Sequence, residues 1–258
     1  MKVYILRNGW MECDENWLVF MANYATHSHR TIESKWIEFP IFAVLIEHDN
    51  QYTLYDCGNP PGDAVQLSER FPYLLPDNER LVNQLALLNL RPEDISQLIL
   101  SHVHGDHAGN VDLFPDAEIV ISEEEYNACI LKSRQPGAES FIRNVAERPA
   151  EKIRVIRQDV QLFPGIELVR LPGHSYCLLG LITHLAQSGT MIFTSDAVYT
   201  SKNWGPPARM PSLIHHIEQF YQSVEKLRVL KDRLSATVIF GHDKERFLAL
   251  KKAPEYYE

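Results

Sequence analysis

SHVHGDHAGN, residues 101–110, places three histidines and one aspartate within the six positions 102–107. His102 and His104 are two apart, and side chains two apart in an extended segment point to the same side, so both imidazoles meet one ion. Asp106 and His107 follow at once. Where the chain turns they face a second ion nearby, so one short loop serves two metals. The run before it, ISQLIL, reads as a buried strand. The ligands therefore stand on a loop at a strand's carboxyl end, where α/β proteins usually set their chemistry.

One loop cannot complete two coordination shells, so further donors are expected at the ends of other strands. Three fit: His174 follows a strand in RLPGHS, Asp196 ends MIFTSD, and His242 ends ATVIFGHD. Each alone suits a cap or an exposed turn. Three in succession at strand ends strengthen one another.

The rest of the chain alternates in the same way. KVYILRN, IFAVLIEH and QYTLYD read as strands, with Asp49-Asn50 turning the last two into a hairpin. DNERLVNQLALLNL carries Leu81, Leu85 and Leu88 at helical spacing with Asp77 or Asn78 as cap. AEIVIS precedes a helix that Ser122 caps, with Glu125 completing a capping box. KIRVIR, IELVRL, LGLITHL and GTMIFTS are further strands, and SLIHHIEQFYQSVEKLRVL is a long amphipathic helix containing His215 and His216. Two batches of strands, each with its own helices, suit two sheets packed face to face with helices outside. That is a four-layer αββα sandwich of the α/β (α+β) class.

A chain of 258 residues with 45% hydrophobic and 23% charged residues buries a substantial core, and no linker or repeat divides it. One continuous domain over residues 1–258 is expected. No apolar run reaches membrane-spanning length and no signal peptide opens the chain, so a cytoplasmic protein without membrane contact is expected. Cys13, Cys57, Cys129 and Cys177 are scattered without a CxxC pair and read as buried free thiols. A formal charge of −9 with dispersed Lys and Arg argues against a nucleic-acid partner.

HVHGDH, LPGHS, TSDAVY and FGHD, in this order, resemble the metallo-β-lactamase superfamily, and LYDCG (54–58) is similar to its early strand-turn. The resemblance covers nearly the whole chain and implies the αββα fold. It further implies that His102, His104 and His174 bind one metal, that Asp106, His107 and His242 bind the other, and that Asp196 bridges them. Asp196 stands where several true β-lactamases supply Cys, and His104 where diiron flavoproteins typically have Glu. Tyr199, three residues after Asp196, and the run TSDAVYTSKNWGPPA look like the N-acyl-homoserine lactonase branch, where a Tyr there meets the substrate carbonyl. Gly105 departs from the bulky apolar residue that well-known lactonases often carry at that place. A wall of the acyl pocket is therefore missing or supplied from elsewhere.

The chemistry expected is ring opening of a lactone, with N-acyl homoserine lactones as the foremost substrates and quorum quenching as the outcome. Two divalent ions about 3.5–4 Å apart share one water and lower its pKa from 15.7 toward about 7. The resulting hydroxide attacks a carbonyl polarised by one metal and by the Tyr199 hydroxyl, and Asp106 carries the proton to the leaving alkoxide. Zinc is the default metal, although His, Asp and water also suit iron, manganese, cobalt or nickel. No organic cofactor is needed. Another lactone, a thioester or a phosphodiester would use the same ligands, and a non-catalytic metal-binding protein would instead close every coordination position.

Asp56 is expected to orient a metal-bound histidine or to cap its turn. Trp17, Phe20, Met21, Tyr24 and Trp36 suit a lid or pocket wall, or equally core or dimer packing, so a homodimer is the expected assembly. Trp204 either lines the substrate entrance or belongs to a rigid turn. His27, His29 and His48 read as exposed or structural.

Overall fold

The computed structural model describes residues 1–60 and 69–258. Strand β1 (Lys2–Asp14) pairs antiparallel with β2 (Trp36–His48), and β2 turns into β3 (Gln51–Tyr55). Asp49 and Asn50 at that turn both take positive φ, 48° and 61°, the backbone a two-residue hairpin demands and these side chains tolerate. β4 (Tyr73–Leu74) adds to the free edge of β1. On the other side β5 (Ile95–Ile99), β6 (Glu118–Ser122) and β7 (Ile153–Ile156) extend the sheet in parallel from β3, giving the order β4-β1-β2-β3-β5-β6-β7. The second sheet runs β12-β11-β10-β9-β8, from β8 (Val160–Phe163), β9 (Ile166–Leu171), β10 (Leu178–Leu185), β11 (Gly189–Phe193) and β12 (Thr237–Ile239).

Alternation along the strands sorts side chains into layers. Val3 and Ile5 of β1 and Leu179 and Leu181 of β10 point between the sheets, where they meet Val44, Ile99, Leu168 and Phe193. Their neighbours Tyr4 and Leu6 face outward, toward Leu81 and Leu85 of α2 (Leu81–Ala86) and Phe141 and Val145 of α5 (Ser140–Ala146). On the far side Leu178 and Ile182 pack under Phe220, Val224, Leu227 and Leu230, the apolar stripe of α7 (Ile217–Leu234). Four layers result, helix on sheet on sheet on helix, as expected from the two batches of strands. Among the described residues the other α-helices are α1 (Glu15–Leu18), α3 (Gly105–Ala108), α4 (Glu123–Ser133), α6 (Ser201–Trp204) and α8 (Lys244–Ala249). Among the described residues no helix is long and apolar enough to cross a membrane, and all four cysteines are buried free thiols.

Several local expectations change. Neither Asp77 nor Asn78 caps α2: Asp77–Glu79 form a 3-10 turn of their own, and α2 starts after Arg80. Ser122 does cap α4, accepting from Glu125 N at 3.3 Å, but the reciprocal half of the box is absent. The Glu125 carboxylate is taken by Cys177 N at 3.0 Å, a tertiary partner in the loop before β10. His215 and His216 precede α7, and the His216 ring caps it by accepting from Gln219 N. Trp204 packs against Phe240 beneath the Arg228 guanidinium, within the outer helical layer.

Candidate metal centre

The loop after β5 begins with Ser101, whose main-chain N and Oγ both donate to the Asp56 carboxylate, at 2.7 and 2.8 Å. Asp56 sits at the end of β3 with φ 58°, which turns its side chain across the adjoining strand end. Its Oδ2 also lies 2.8 Å from His107 Nδ1, so Asp56 ties the start of the histidine loop to α3. That leaves His107 Nε2 pointing inward. The segment 57–59 is clamped to the same helix by Asn110, whose Nδ2 donates to the carbonyls of Cys57 and Asn59.

Seven side chains converge from four strand ends. His102 Nε2, His104 Nδ1, His174 Nε2 and Asp196 Oδ2 form one group. Within it, His104 Nδ1 is 2.9 Å from His102 Nε2 and 3.1 Å from His174 Nε2, and Asp196 Oδ2 is 3.6 and 3.2 Å from the same two nitrogens. Asp106 Oδ2, His107 Nε2, His242 Nε2 and Asp196 Oδ1 form the other. There Asp196 Oδ1 is 3.1 Å from His107 Nε2 and 2.9 Å from His242 Nε2, and Asp106 Oδ2 is 3.4 and 3.6 Å from them. Donors about 2.0–2.1 Å from a tetrahedral ion stand about 3.3 Å from one another, so both groups have the spacing of a coordination shell. Asp196 contributes one oxygen to each. Among the described residues neither His107 Nε2 nor Asp196 Oδ1, both buried, makes a hydrogen bond of good geometry despite these close approaches, an arrangement that costs free energy unless something else engages them.

The outer nitrogens fix the rings. His102 Nδ1 lies 3.0 Å from Ser101 Oγ, and His242 Nδ1 lies 3.0 Å from the Pro40 carbonyl of β2, while Phe39 packs edge-on against the same imidazole. His174 Nδ1 faces both the Leu213 carbonyl and the Tyr199 hydroxyl at 3.2 Å. With Nε2 turned inward, Nδ1–H is the donor to both, and the Tyr199 hydroxyl keeps its own proton to give.

Electrostatics divide the two groups. Burial pushes His102 well below the ordinary imidazole range, pushes His104 down, and takes His174 down to about 4. For His107 and His242 burial acts in the same sense but is outweighed by the carboxylates of Asp196 and Asp106, which raise both; Asp56 adds to this at His107. Asp106 is held at about 2, and Asp196 well below the carboxylate range, because the charge on His107 overcomes their burial. Tyr199 is raised well above 10 by burial and by the nearby Asp196 and Asp106 carboxylates, so it stays protonated.

The donors open onto a cavity of about 380 Å³. Met11, Trp17, Phe39, Phe71 and Leu213 give it apolar walls, and Asp106, Tyr199 and His242 lie at its floor. Of the large N-terminal side chains Trp17 forms wall, whereas Phe20, Met21, Tyr24 and Trp36 are exposed. The Phe141 ring of α5 lies 3.8 Å from where a side chain on Gly105 would begin. His27 and His29 lie exposed, and His48 stacks on Phe163. Ser101, Ser195, Asn110 and the Pro40 carbonyl escaped the sequence reading. Ser101 Oγ reaches the ring of the adjoining His102, whereas Ser195 Oγ donates to Ser101 Oγ and lies 3.4 Å from His107 Nδ1; like Asn110 and the Pro40 carbonyl, it acts through the tertiary fold.

A seven-stranded and a five-stranded sheet in a four-layer sandwich carry, at the sheet edge, two four-donor groups that share one carboxylate and could each hold a metal ion. Residues 36–242 match the family model of the metallo-beta-lactamase superfamily, to which the chain belongs. It is 30% identical to the N-acyl homoserine lactonase AiiB of Rhizobium rhizogenes over 100% of this chain and 99% of that protein. AiiA of Bacillus thuringiensis subsp. kurstaki, also named an N-acyl homoserine lactonase, is 27% identical over 92% of this chain and 94% of its own. Among solved structures, an N-acyl homoserine lactone hydrolase with N-hexanoyl-L-homoserine at its catalytic metal centre superposes with a TM-score of 0.83. That match spans 99% of this chain and 98% of the other at 24% identity.

Proposed function

We propose that this metal-dependent hydrolase opens lactone rings, with N-acyl homoserine lactones as its substrates. The observation that carries the reading is the shared carboxylate of Asp196 between two donor groups whose open side faces an apolar cavity floored by Tyr199 and Asp106. The whole-length likeness to a named lactonase supports it. His102, His104, His174 and Asp196 would hold one ion, and Asp106, His107, His242 and Asp196 the other, with zinc the default for this donor set. When bound, the pair supplies a Lewis acid for the ester carbonyl and a water acidified from pKa 15.7 toward about 7.

The chain's own residues do the rest. Met11, Trp17, Phe39 and Phe71 exclude water and accept an apolar acyl arm. The protonated Tyr199 hydroxyl donates to the carbonyl oxygen as negative charge gathers there. Asp106 is ionised and borders the cavity, so it takes the proton of the attacking water and returns it to the ring oxygen as the carbon–oxygen ester bond breaks. The product is an open-chain hydroxy acid. Apolar walls favour a neutral ester with a hydrocarbon arm over a phosphodiester, whose charge they would desolvate.

The test is turnover by metal-quantified protein across homoserine lactones, simple lactones, thioesters and phosphodiesters, with Asp106→Asn as control. Lactone opening that disappears in the control is expected. Turnover confined to thioesters or phosphodiesters would retire the lactonase reading while leaving the metal chemistry standing.

A further inference from the structure

Asn203 follows Tyr199 by one short turn of chain and is fully buried on the single-turn helix α6. Its Oδ1 accepts from Thr200 N at 3.0 Å and from Thr200 Oγ1 at 2.8 Å, closing a capping box on that helix. A carboxylate would serve such a box equally well. The amide nitrogen supplies the reason for Asn: Nδ2 donates to Leu18 O at 2.7 Å and to Arg209 O at 3.0 Å. Two acceptances and two donations use everything one amide offers. The partners also fix which way it faces, since an N–H and a hydroxyl meet its oxygen and two carbonyls meet its nitrogen.

Each segment so joined carries part of the metal-facing cavity. Thr200 continues directly from Tyr199, whose carbonyl accepts from His242 N at 2.8 Å. Leu18 and its neighbour Trp17 are cavity wall, and Leu18 belongs to the same buried cluster as the Tyr199 ring. Arg209 opens the segment that reaches Leu213, another wall residue, whose carbonyl faces His174 Nδ1. Further bonds stitch these segments around the amide. Phe20 N donates to Met210 O at 2.9 Å, Ser212 N donates to Trp17 O at 3.1 Å, and Lys202 pairs with the buried Glu15 carboxylate.

We infer that Asn203 is a positioning residue for the ester-opening step: lying outside both donor groups and outside the cavity wall, it holds the Tyr199 hydroxyl where charge gathers on the carbonyl. This rests on the proposed role of Tyr199 and deepens it. The amide reaches the Tyr199 ring by two routes, along the chain through Thr200 and across the packed cluster through Leu18. With the amide removed both slacken together, while the histidine loop keeps its own clamp at Asp56. A displacement of about 1 Å at a reacting group costs about 100-fold in rate.

Wild type, Asn203→Ala, Tyr199→Phe and the double variant are compared as metal-loaded proteins, with metal content measured on each. At saturating N-hexanoyl homoserine lactone, Asn203→Ala is expected to lower kcat about tenfold or more with metal retained. In the Tyr199→Phe background the same change is expected to cost less than about threefold, because the hydroxyl it misplaces is already gone. A general loss of stability would lower kcat by the same factor in both backgrounds. That result, or an unchanged kcat in Asn203→Ala, would overturn the inference. A second readout needs no substrate: fluorine NMR of Tyr199→fluorotyrosine and, as control, Tyr55→fluorotyrosine, a site whose hydroxyl donates to Leu179 O between the sheets. Asn203→Ala is expected to shift or broaden the resonance at 199 and to leave that at 55 in place. Both resonances moved, or neither, would count against the positioning role and overturn it. If Asn203→Ala loses metal, Asn203→Asp, which keeps an oxygen facing Thr200 and loses both donations, is read in its place. A wild type that opens no lactone, with the resonance at 199 still moving alone, would sink only the lactonase reading.

Discussion

Asp56 shows how much of the site depends on a residue outside both donor groups. Its carboxylate accepts from Ser101 N, Ser101 Oγ and His107, and so sets the height of the loop and the tautomer of one ligand together. Replacing it with Ala leaves those buried donors unpaired. Metal affinity is expected to fall about 10–100-fold, the usual cost of losing such an orienting partner, as measured by competition with a chelator. Tyr199→Phe should behave differently. Metal content is retained, while kcat falls by a factor of about ten to a thousand, as for a lost oxyanion donor. Equal turnover in steady-state assays would remove Tyr199 from the chemistry. The histidines also differ in their protons. His102, His104 and His174 are lowered in the metal-free chain, so their group is deprotonated near pH 7, whereas His107 and His242 are raised. A raised folded-state pKa stabilises the metal-free fold below the unfolded value near 6.5 and loses that effect as pH rises through the folded value. Metal must displace those protons, so affinity at the second group is expected to rise with pH. Calorimetric titrations in buffers of different ionisation enthalpy should show proton release with only one of the two equivalents. Release split evenly between them would contradict the assignment.

At the scale of elements, strand ends place the ligands and short polar clamps hold those ends in register. Asn110 joins the turn after β3 to the histidine loop through two carbonyls, and Ser122 Oγ donates to Cys177 O in the loop that carries His174. Asn110→Ala would leave two buried carbonyls without donors. A loss of about 1–3 kcal/mol per unsatisfied group is expected, read from denaturant unfolding of the metal-free protein. These clamps were illegible in the sequence, since each spans dozens of residues and uses common side chains. Element existence was legible, because the β-branched and aromatic residues of IFAVLIEH and the turn at Asp49-Asn50 are local signals. Boundaries were not: β1 runs on to Asp14 because β2 and β4 continue to pair with it, and α7 starts late because the His216 ring caps it.

For the whole molecule, the seven donors lie on segments from His102 to His242 and meet only when both sheets are assembled. HVHGDH announced itself because the residue types are rare together. His174, Asp196 and His242 became candidates only as a set of strand ends, and the resemblance then gave them partners. Metal held by donors from both sheets would couple loading to stability. An excess of metal one hundred times its dissociation constant is expected to stabilise the fold by about 2.7 kcal/mol, and chelation to lower the melting temperature accordingly. An unchanged melting temperature on chelation would mean that the ion does not bridge the sheets.

The central claim is that two ions sharing Asp196 are needed to open a lactone. The most direct measurement adds zinc stepwise to metal-free protein and follows acid release from an N-acyl homoserine lactone. Activity is expected to appear with metal and to level off at two ions per chain. Two tightly bound ions with no ring opening would contradict the claim.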